Sequence, residues 1–361
     1  MASSFPNILI APLNWGLGHA TRCIPIINAL LDRGIRPILA SDGAALALLR
    51  EEYPELKILD LPAYNIKYHG NSMMLTMGVQ LPKIGKAILS EQQAIKKIVG
   101  DHQIDLIISD NRYGVFHPDC HSIFMTHQLN IKIPNRILEK MVARINHRLI
   151  RRFDACWVPD YAKEPRLAGT LSENPGFSKI EYLGPLSRME KAELNPEYKL
   201  AIVLSGPEPQ RTNLEKILFQ QLSDYSEKVC FIRGVISDAL PPIVDNKNIS
   251  VINYLTATKL NQVLNASEMV LCRSGYSSLM DLVKLNKRAV LIPTPGQTEQ
   301  ENLADYLSKI GSFAVANQRD FNLKDSLATL DNIVESTWPK GKELEAILEK
   351  TIRLLKNQPE K

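Results

Sequence analysis

The 361-residue chain has no apolar run approaching the ~20 residues that a membrane-spanning helix requires. Its first seven residues carry neither a basic segment nor an apolar one, so no secretory leader is expected. Cysteine is scarce. Cys23, Cys120, Cys156, Cys230 and Cys272 are scattered, odd in number and never spaced Cys-x-x-Cys. That pattern excludes a disulfide framework and points to a reducing, cytoplasmic compartment. His117, Cys120 and His121 fall together in HPDCH, which is not a recurrent zinc spacing, and no metal site is expected. There is no low-complexity tract and no GxxxxGK[ST], so a Walker-type ATP site is excluded. The net charge is +4, and the excess lies in residues 1–184, with 21 Lys and Arg against 17 Asp and Glu. That imbalance is too mild for a nucleic-acid-binding surface.

What is present is a recurring unit: a short apolar run, a Gly-containing turn, a helical stretch and another apolar run. This is the signature of parallel βαβ units and predicts an α/β fold. The length suits two domains, each large enough to bury a core. Leu183-Gly-Pro185 followed by the charged stretch LSRMEKAELNPEYK reads as a linker. The expected domains are therefore 1–184 and 185–340, with a helix at 341–355.

The most informative stretch is 268–302. Met269 to Cys272 reads as a buried strand, broken by Arg273-Ser274-Gly275. A helix is expected from Tyr276 to Leu285, then a strand from Ala289 to Ile292 closed by Pro293-Thr-Pro-Gly. A Ser-Gly pair at a strand's carboxyl end lets backbone approach a ligand closely. The following helix start offers free N–H groups to an anion. Asp281 lies two turns into the helix, and Gln297, Gln300 and Glu301 follow the second strand. Ligands of open α/β sheets sit outside the carboxyl ends of the strands, so these residues are binding candidates. An ordinary solvated turn is the alternative.

Two further strand–loop–helix units carry candidates. Asn7 to Ala11 is followed by Asn14-Trp-Gly16-Leu-Gly18-His19-Ala-Thr-Arg22 and a helix to about Arg33. A His at a helix entrance is held neutral near pH 7 by the dipole and is able to accept a proton; the alternative is a His without chemistry. Leu200 to Leu204 leads into Ser205-Gly206 and Arg211, where backbone N–H groups and a guanidinium could meet a diphosphate.

GxGHxxR at 16–22 and CRSG at 272–275, together with Asp281, Pro293 and Gln300, resemble glycosyltransferase family 28. That family includes MurG-type enzymes, which add N-acetylglucosamine to a lipid-linked acceptor, and the plant galactolipid synthases. The resemblance implies a GT-B fold: two Rossmann-like doubly wound domains facing a central cleft, with the last helix returning to the first domain. It implies an inverting hexosyltransferase using a UDP-sugar, with no resident cofactor. In the family, the acid at the Asp281 position binds the ribose, usually as Glu. A Gln pair contacts the donor sugar and here reads Gln300-Glu301. The base is held by backbone near Leu255. Gly16 and Gly18 would face the donor phosphates, with Ser205, Gly206, Arg211, Arg273, Ser274 and Gly275, and His19 would be the base. The shortened acid and the replaced Gln put the identity of the donor sugar in question. No Asp-x-Asp pair, the metal grip of the other large glycosyltransferase fold, occurs in the chain. A UDP-sugar 2-epimerase on the same scaffold and a non-catalytic nucleotide-sugar-binding subunit remain open.

Three other stretches bear on the acceptor. Asp110 ends the strand Ile104 to Ser109, where it would be a second base, orient His19, or cap the next segment. Residues 62–90, rich in Tyr, Met and Leu, read as an acceptor loop or membrane-touching loop, or as an unrecognised core segment, with a helix from about Lys83 to Val99. In 131–152, Ile137, Leu138, Met141, Val142, Ile145 and Leu149 recur at helical spacing among seven Lys and Arg. Such a helix either lies on an anionic membrane or turns its stripe to the core.

Overall fold

A computed structural model describes residues 5–64, 73–235, 239–333, 338–339 and 343–356. The chain divides into two compact units, residues 1–186 with 339–361, and residues 187–338.

The first unit alternates strand and helix. β1 (Ile8–Pro12), α1 (Gly18–Leu31), β2 (Ile38–Ser41), α2 (Gly43–Glu52) and β3 (Ile58–Asp60) are followed by α3 (Met73–His102). Then come β4 (Leu106–Asp110), β5 (His121–Met125), α4 (Arg136–Ile150), β6 (Ala155–Val158) and β7 (Ile180–Tyr182). The seven strands form one sheet in the order β3-β2-β1-β4-β5-β6-β7, and every pairing is parallel. β1 and β4 are buried along their whole length, as strands covered on both faces must be.

The second unit repeats the plan with β8 (Tyr198–Val203), α5 (Gln210–Leu222), β9 (Val229–Ile232), β10 (Ile249–Ile252), α6 (Ala257–Asn265) and β11 (Ser267–Cys272). α7 (Tyr276–Leu285), β12 (Arg288–Leu291), α8 (Thr298–Lys309), β13 (Ala314–Val315) and α9 (Leu323–Ala328) complete it. Its six strands are again all parallel, in the order β10-β9-β8-β11-β12-β13. The last helix, α10 (Glu343–Lys356), belongs to the first unit. There it buries Leu348 and pairs Glu345 with Arg33 and Lys350 with Glu181.

In each sheet the strand order reverses once, between β1 and β4 and between β8 and β11. The carboxyl ends of those strand pairs are where a doubly wound sheet places its ligands. His19 and Asp110 flank the first reversal; Ser205, Gly206, Ser274 and Gly275 flank the second.

Three stretches depart from the sequence expectation or add to it. α3 begins at Met73, ten residues before the expected start, so much of 62–90 is helix; Asn65 to Ser72, including His69, lie outside the described residues. Residues 163–182 carry no strand-like apolar run, yet they end in β7, which adds the sheet's edge. α4 leaves part of its stripe outward: Ile137 is 80% exposed and Met141 and Ile145 are half exposed, while Val142 and Leu149 are partly buried.

Candidate active site

β1 and β4 are in register so that Pro12 lies opposite Asp110. Leu13 N–H donates to the Asp110 carbonyl at 2.9 Å, carrying the chain from the β1 end into the Gly-rich turn. The turn needs glycine at Gly16, where φ is +77°. α1 then starts at Gly18 with no side-chain cap, leaving N–H groups of its first turn open. His19 and Arg22, one turn apart, both reach back to Asp110.

Asp110 is fully buried, and its carboxylate is surrounded. His19 Nδ1 lies 3.0 Å from Oδ1, Arg22 Nε donates to Oδ2 at 2.7 Å, and Arg22 Nη2 donates to Oδ1. Burial alone would raise this carboxyl, but Arg22 and His19 outweigh it and hold it down at about 2. An ionised carboxylate only accepts, so His19 must carry its proton on Nδ1. That leaves the Nε2 lone pair, which has no hydrogen-bond partner among the described residues. Burial lowers the His19 pKa against the pull of Asp110, so the ring is neutral at pH 7. Arg22 Nη1 also donates to His127 Nδ1 at 3.0 Å.

A second buried charge cluster braces the same strand ends. Arg112, fully buried, donates to Glu91 Oε1 on α3 at 2.7 Å, Asp42 Oδ1 at 2.7 Å and the Pro62 carbonyl at 2.6 Å. Asp42 in turn accepts from Asn14 Nδ2 at 3.1 Å, at the start of the Gly-rich turn. Gly114 packs so closely against Ile88 and Glu91 that any side chain there would collide with them. Sequence reasoning missed Arg112 and Glu91, because a single Arg after a strand does not announce its partners.

In the second unit, Gly275 is the uncapped N-cap of α7, and Gln297 that of α8. Buried Ser274 donates through Oγ to the Gln300 carbonyl at 2.9 Å, tying the two helix starts together. Gln300 Oε1 accepts from Thr294 N–H at 2.9 Å, which fixes the side-chain amide. Its Nε2 then lies about 4.0 Å from where a Gly275 side chain would begin. Gly206, at φ +103°, approaches Thr294 Oγ1. Thr294 Oγ1, Gln297 Oε1 and Arg273 Nε are buried without a hydrogen-bond partner. Arg273 is 1% exposed and its Nη groups bond only to the carbonyls of Gln210, Ile292 and Pro293. Burial pulls its pKa down to about 10. A buried guanidinium with no carboxylate among the described residues, beside orphaned polar atoms, is an environment suited to an anion.

Half-buried Asp281, on α7, accepts from Ser187 Oγ at 2.5 Å, and burial pushes its carboxyl up to about 6. Leu255 is partly buried in the turn between β10 and α6. Ser205 is exposed beside Gly206. Two expected ligands are engaged elsewhere. Arg211 directs four of its five N–H groups to Glu208, Glu215, Thr212 and the Arg233 carbonyl, so it braces the 205–211 loop rather than facing it as an open cation. Glu301 Oε1 accepts from Gly296 N–H at 2.9 Å and closes the turn before α8. Among the described residues no group of three or more His, Cys, Asp or Glu is placed to hold a metal ion.

Residues 214–351 match the glycosyltransferase family 28 C-terminal domain. The chain is a glycosyltransferase, with a family 28 C-terminal domain over those residues. It is 22% identical to an uncharacterized glycosyltransferase of Methanosarcina acetivorans over 84% of each chain. A second relative, from Listeria monocytogenes, is a UDP-N-acetylglucosamine–N-acetylmuramyl-(pentapeptide) pyrophosphoryl-undecaprenol N-acetylglucosamine transferase. It is 24% identical over 80% of this chain and 86% of its own. Among solved structures, the glycosyltransferase SnogD from Streptomyces nogalater superposes with a TM-score of 0.63 at 14% identity, covering 96% of this chain and 100% of its own. The fold of this glycosyltransferase is GT-B. No helix among its described residues is long and apolar enough to cross a membrane.

Proposed function

We propose that this glycosyltransferase moves a hexose or N-acetylhexosamine from a UDP-sugar to an acceptor hydroxyl, with inversion and without a metal ion in the chemical step. The observation that carries the reading is the His19–Asp110 pair, which leaves one neutral imidazole nitrogen open as a base. In the proposed step the acceptor proton passes to His19 Nε2 as its oxygen bonds to the anomeric carbon. The bond from that carbon to the phosphate oxygen breaks, and its electron pair leaves on UDP. One base and one displacement invert the centre. In the second unit, the open helix start at Gly275, the Ser205-Gly206 loop, Ser274 and the field of Arg273 would stabilise the departing charge. Asp281 would accept from a ribose hydroxyl, Gln300 Nε2 and the turn at Gln297 would meet the sugar, and Leu255 would lie against the base.

A lipid-linked acceptor presented at an anionic membrane is the partner that fits α4. Its exposed Ile137, Met141 and Ile145 form a line along the helix, flanked by exposed Arg136, Lys140, Arg144 and Arg148. The pyrophosphoryl-undecaprenol named for the Listeria relative is an acceptor of that chemistry.

The test is a thermal-shift and calorimetric titration with UDP, UDP-N-acetylglucosamine, UDP-glucose, UDP-galactose, GDP-mannose and NADH, with and without Mg²⁺. Uridine ligands should stabilise the protein by about 2.7 kcal/mol at a hundredfold excess over Kd, equally in both conditions. A response only to another nucleotide would overturn the UDP assignment.

A further inference from the structure

The residue that stands directly against Asp281 comes not from the helices but from the first turn of the linker. Ser187 Oγ lies 2.5 Å from Asp281 Oδ1. The same oxygen accepts the Met189 N–H at 3.0 Å. Because that N–H can only donate, one lone pair of Ser187 Oγ is committed, and its hydroxyl proton is directed at the carboxylate. The hydroxyl therefore cannot rotate away, and Oδ1 is held on one side. Asp281 Oδ2 has no hydrogen-bond partner among the described residues.

We propose that Ser187 is a positioning residue of the nucleoside site: it turns the Asp281 carboxylate so that Oδ2 is presented to a ribose hydroxyl. The proposal rests on the reading of Asp281 as the ribose acceptor. Its physical content is a compensation. Aspartate is one methylene shorter than glutamate, so its carboxylate sits closer to the helix backbone, where burial raises its pKa. Burial then favours the neutral form, whose hydroxyl would compete with ribose as a donor rather than accept from it. The Ser187 bond opposes that, since a hydrogen bond to the carboxylate favours the charged form. The other charged or titratable groups in play are Arg188, which also favours the charged form, and the Cys272 thiol at the end of β11. Ser187 is silent in the sequence because nothing in a linker serine signals a partner 94 positions away.

The test is calorimetric titration of UDP into the full-length protein from pH 5 to pH 8, with Ser187→Ala, Ser187→Thr and Asp281→Asn beside the wild type. Melting curves confirm that each variant is folded. Wild-type affinity should fall as pH drops through about 6, where the Asp281 carboxyl takes up its proton. Ser187→Ala should weaken UDP about tenfold at pH 7, as expected for a lost bond to a charged group, and move the midpoint of the pH dependence upward. Ser187→Thr, which keeps the hydroxyl, should restore both. If Ser187→Ala binds UDP like the wild type with the same midpoint, while Asp281→Asn binds weakly, the proposal for Ser187 is wrong and the ribose assignment stands. If Asp281→Asn also binds like the wild type, the ribose assignment fails and the proposal with it.

Discussion

His19 Nδ1 and Asp110 Oδ1 stand 3.0 Å apart across the β1–β4 junction, although 91 positions separate them in the chain. The contact fixes the imidazole tautomer, because the carboxylate accepts and cannot donate. A ring held this way resembles the base–orienter pairs of general acid–base catalysis, where geometry and a near-neutral pKa act together.

Removing either member should separate chemistry from binding. His19→Ala is expected to lower kcat by about 10²–10⁴-fold, the usual contribution of a positioned base. Asp110→Asn should lower it through loss of the tautomer. UDP affinity measured by calorimetry should change little in His19→Ala. In the wild type, burial lowers the His19 pKa, so the base is already free at neutral pH. The rate, followed as UDP release, should be flat from pH 7 to 8 and fall only on the acid side.

Asp281 should cost stability at the pH where it works. Its folded carboxyl is raised to about 6, above the ordinary aspartate value, so ionisation is harder in the folded state than in the unfolded chain. The penalty is present above pH 6 and disappears as pH falls towards 4. Asp281→Asn should therefore raise Tm at pH 7.5, by no more than ~2–3 kcal/mol of stability, and gain much less at pH 5. Thermal melts at the two pH values check the sign.

Arg112→Leu leaves the Glu91 carboxylate, itself 0% exposed, without its guanidinium. Breaking a buried pair from one side typically costs about 3–5 kcal/mol. Denaturant unfolding should show a loss of that size. Because the same guanidinium holds Asp42, and Asp42 holds Asn14, activity should fall even where the variant remains folded.

Ile137→Glu with Met141→Glu should abolish sedimentation with vesicles containing anionic phospholipid, or weaken it at least tenfold. Wild-type binding should itself decline as salt screens the surrounding Arg and Lys. Both side chains are exposed, so unfolding free energy should move by less than about 0.5 kcal/mol. Unchanged vesicle binding would remove α4 from the membrane reading.

Much of the fold was legible along the chain. Parallel sheets buried on both faces demand short continuous apolar runs, and runs such as Ile8–Ala11 and Val270–Cys272 announced themselves between Gly-containing turns. The helix starts that follow them were equally plain, because glycine and an uncapped first turn are local features. α3 was harder: Gly78, Pro82 and the mixed Met, Leu and Thr composition obscured its first turns. β7, three residues long, owes its existence to β6 beside it rather than to its own pattern.

The candidate site divides along the same line. Residue types and spacing singled out His19, Asp110, Asp281, Ser274, Gly275 and Gln300, because chemistry-bearing residues at the carboxyl ends of strands are marked by local order alone. Only the tertiary structure decided what each one does with its hydrogen bonds. It gave Asp110 to His19 and Arg22, turned Arg211 inward onto Glu208 and Glu215, closed Glu301 onto Gly296, and set Ser187 against Asp281. It also left the apolar line of α4 facing outward, where helical periodicity admitted either direction. The physical reason is common to all of these. Periodicity and turn chemistry are encoded within a few residues, whereas the partner of a charged or polar group is fixed by sheet register and helix packing across the whole unit.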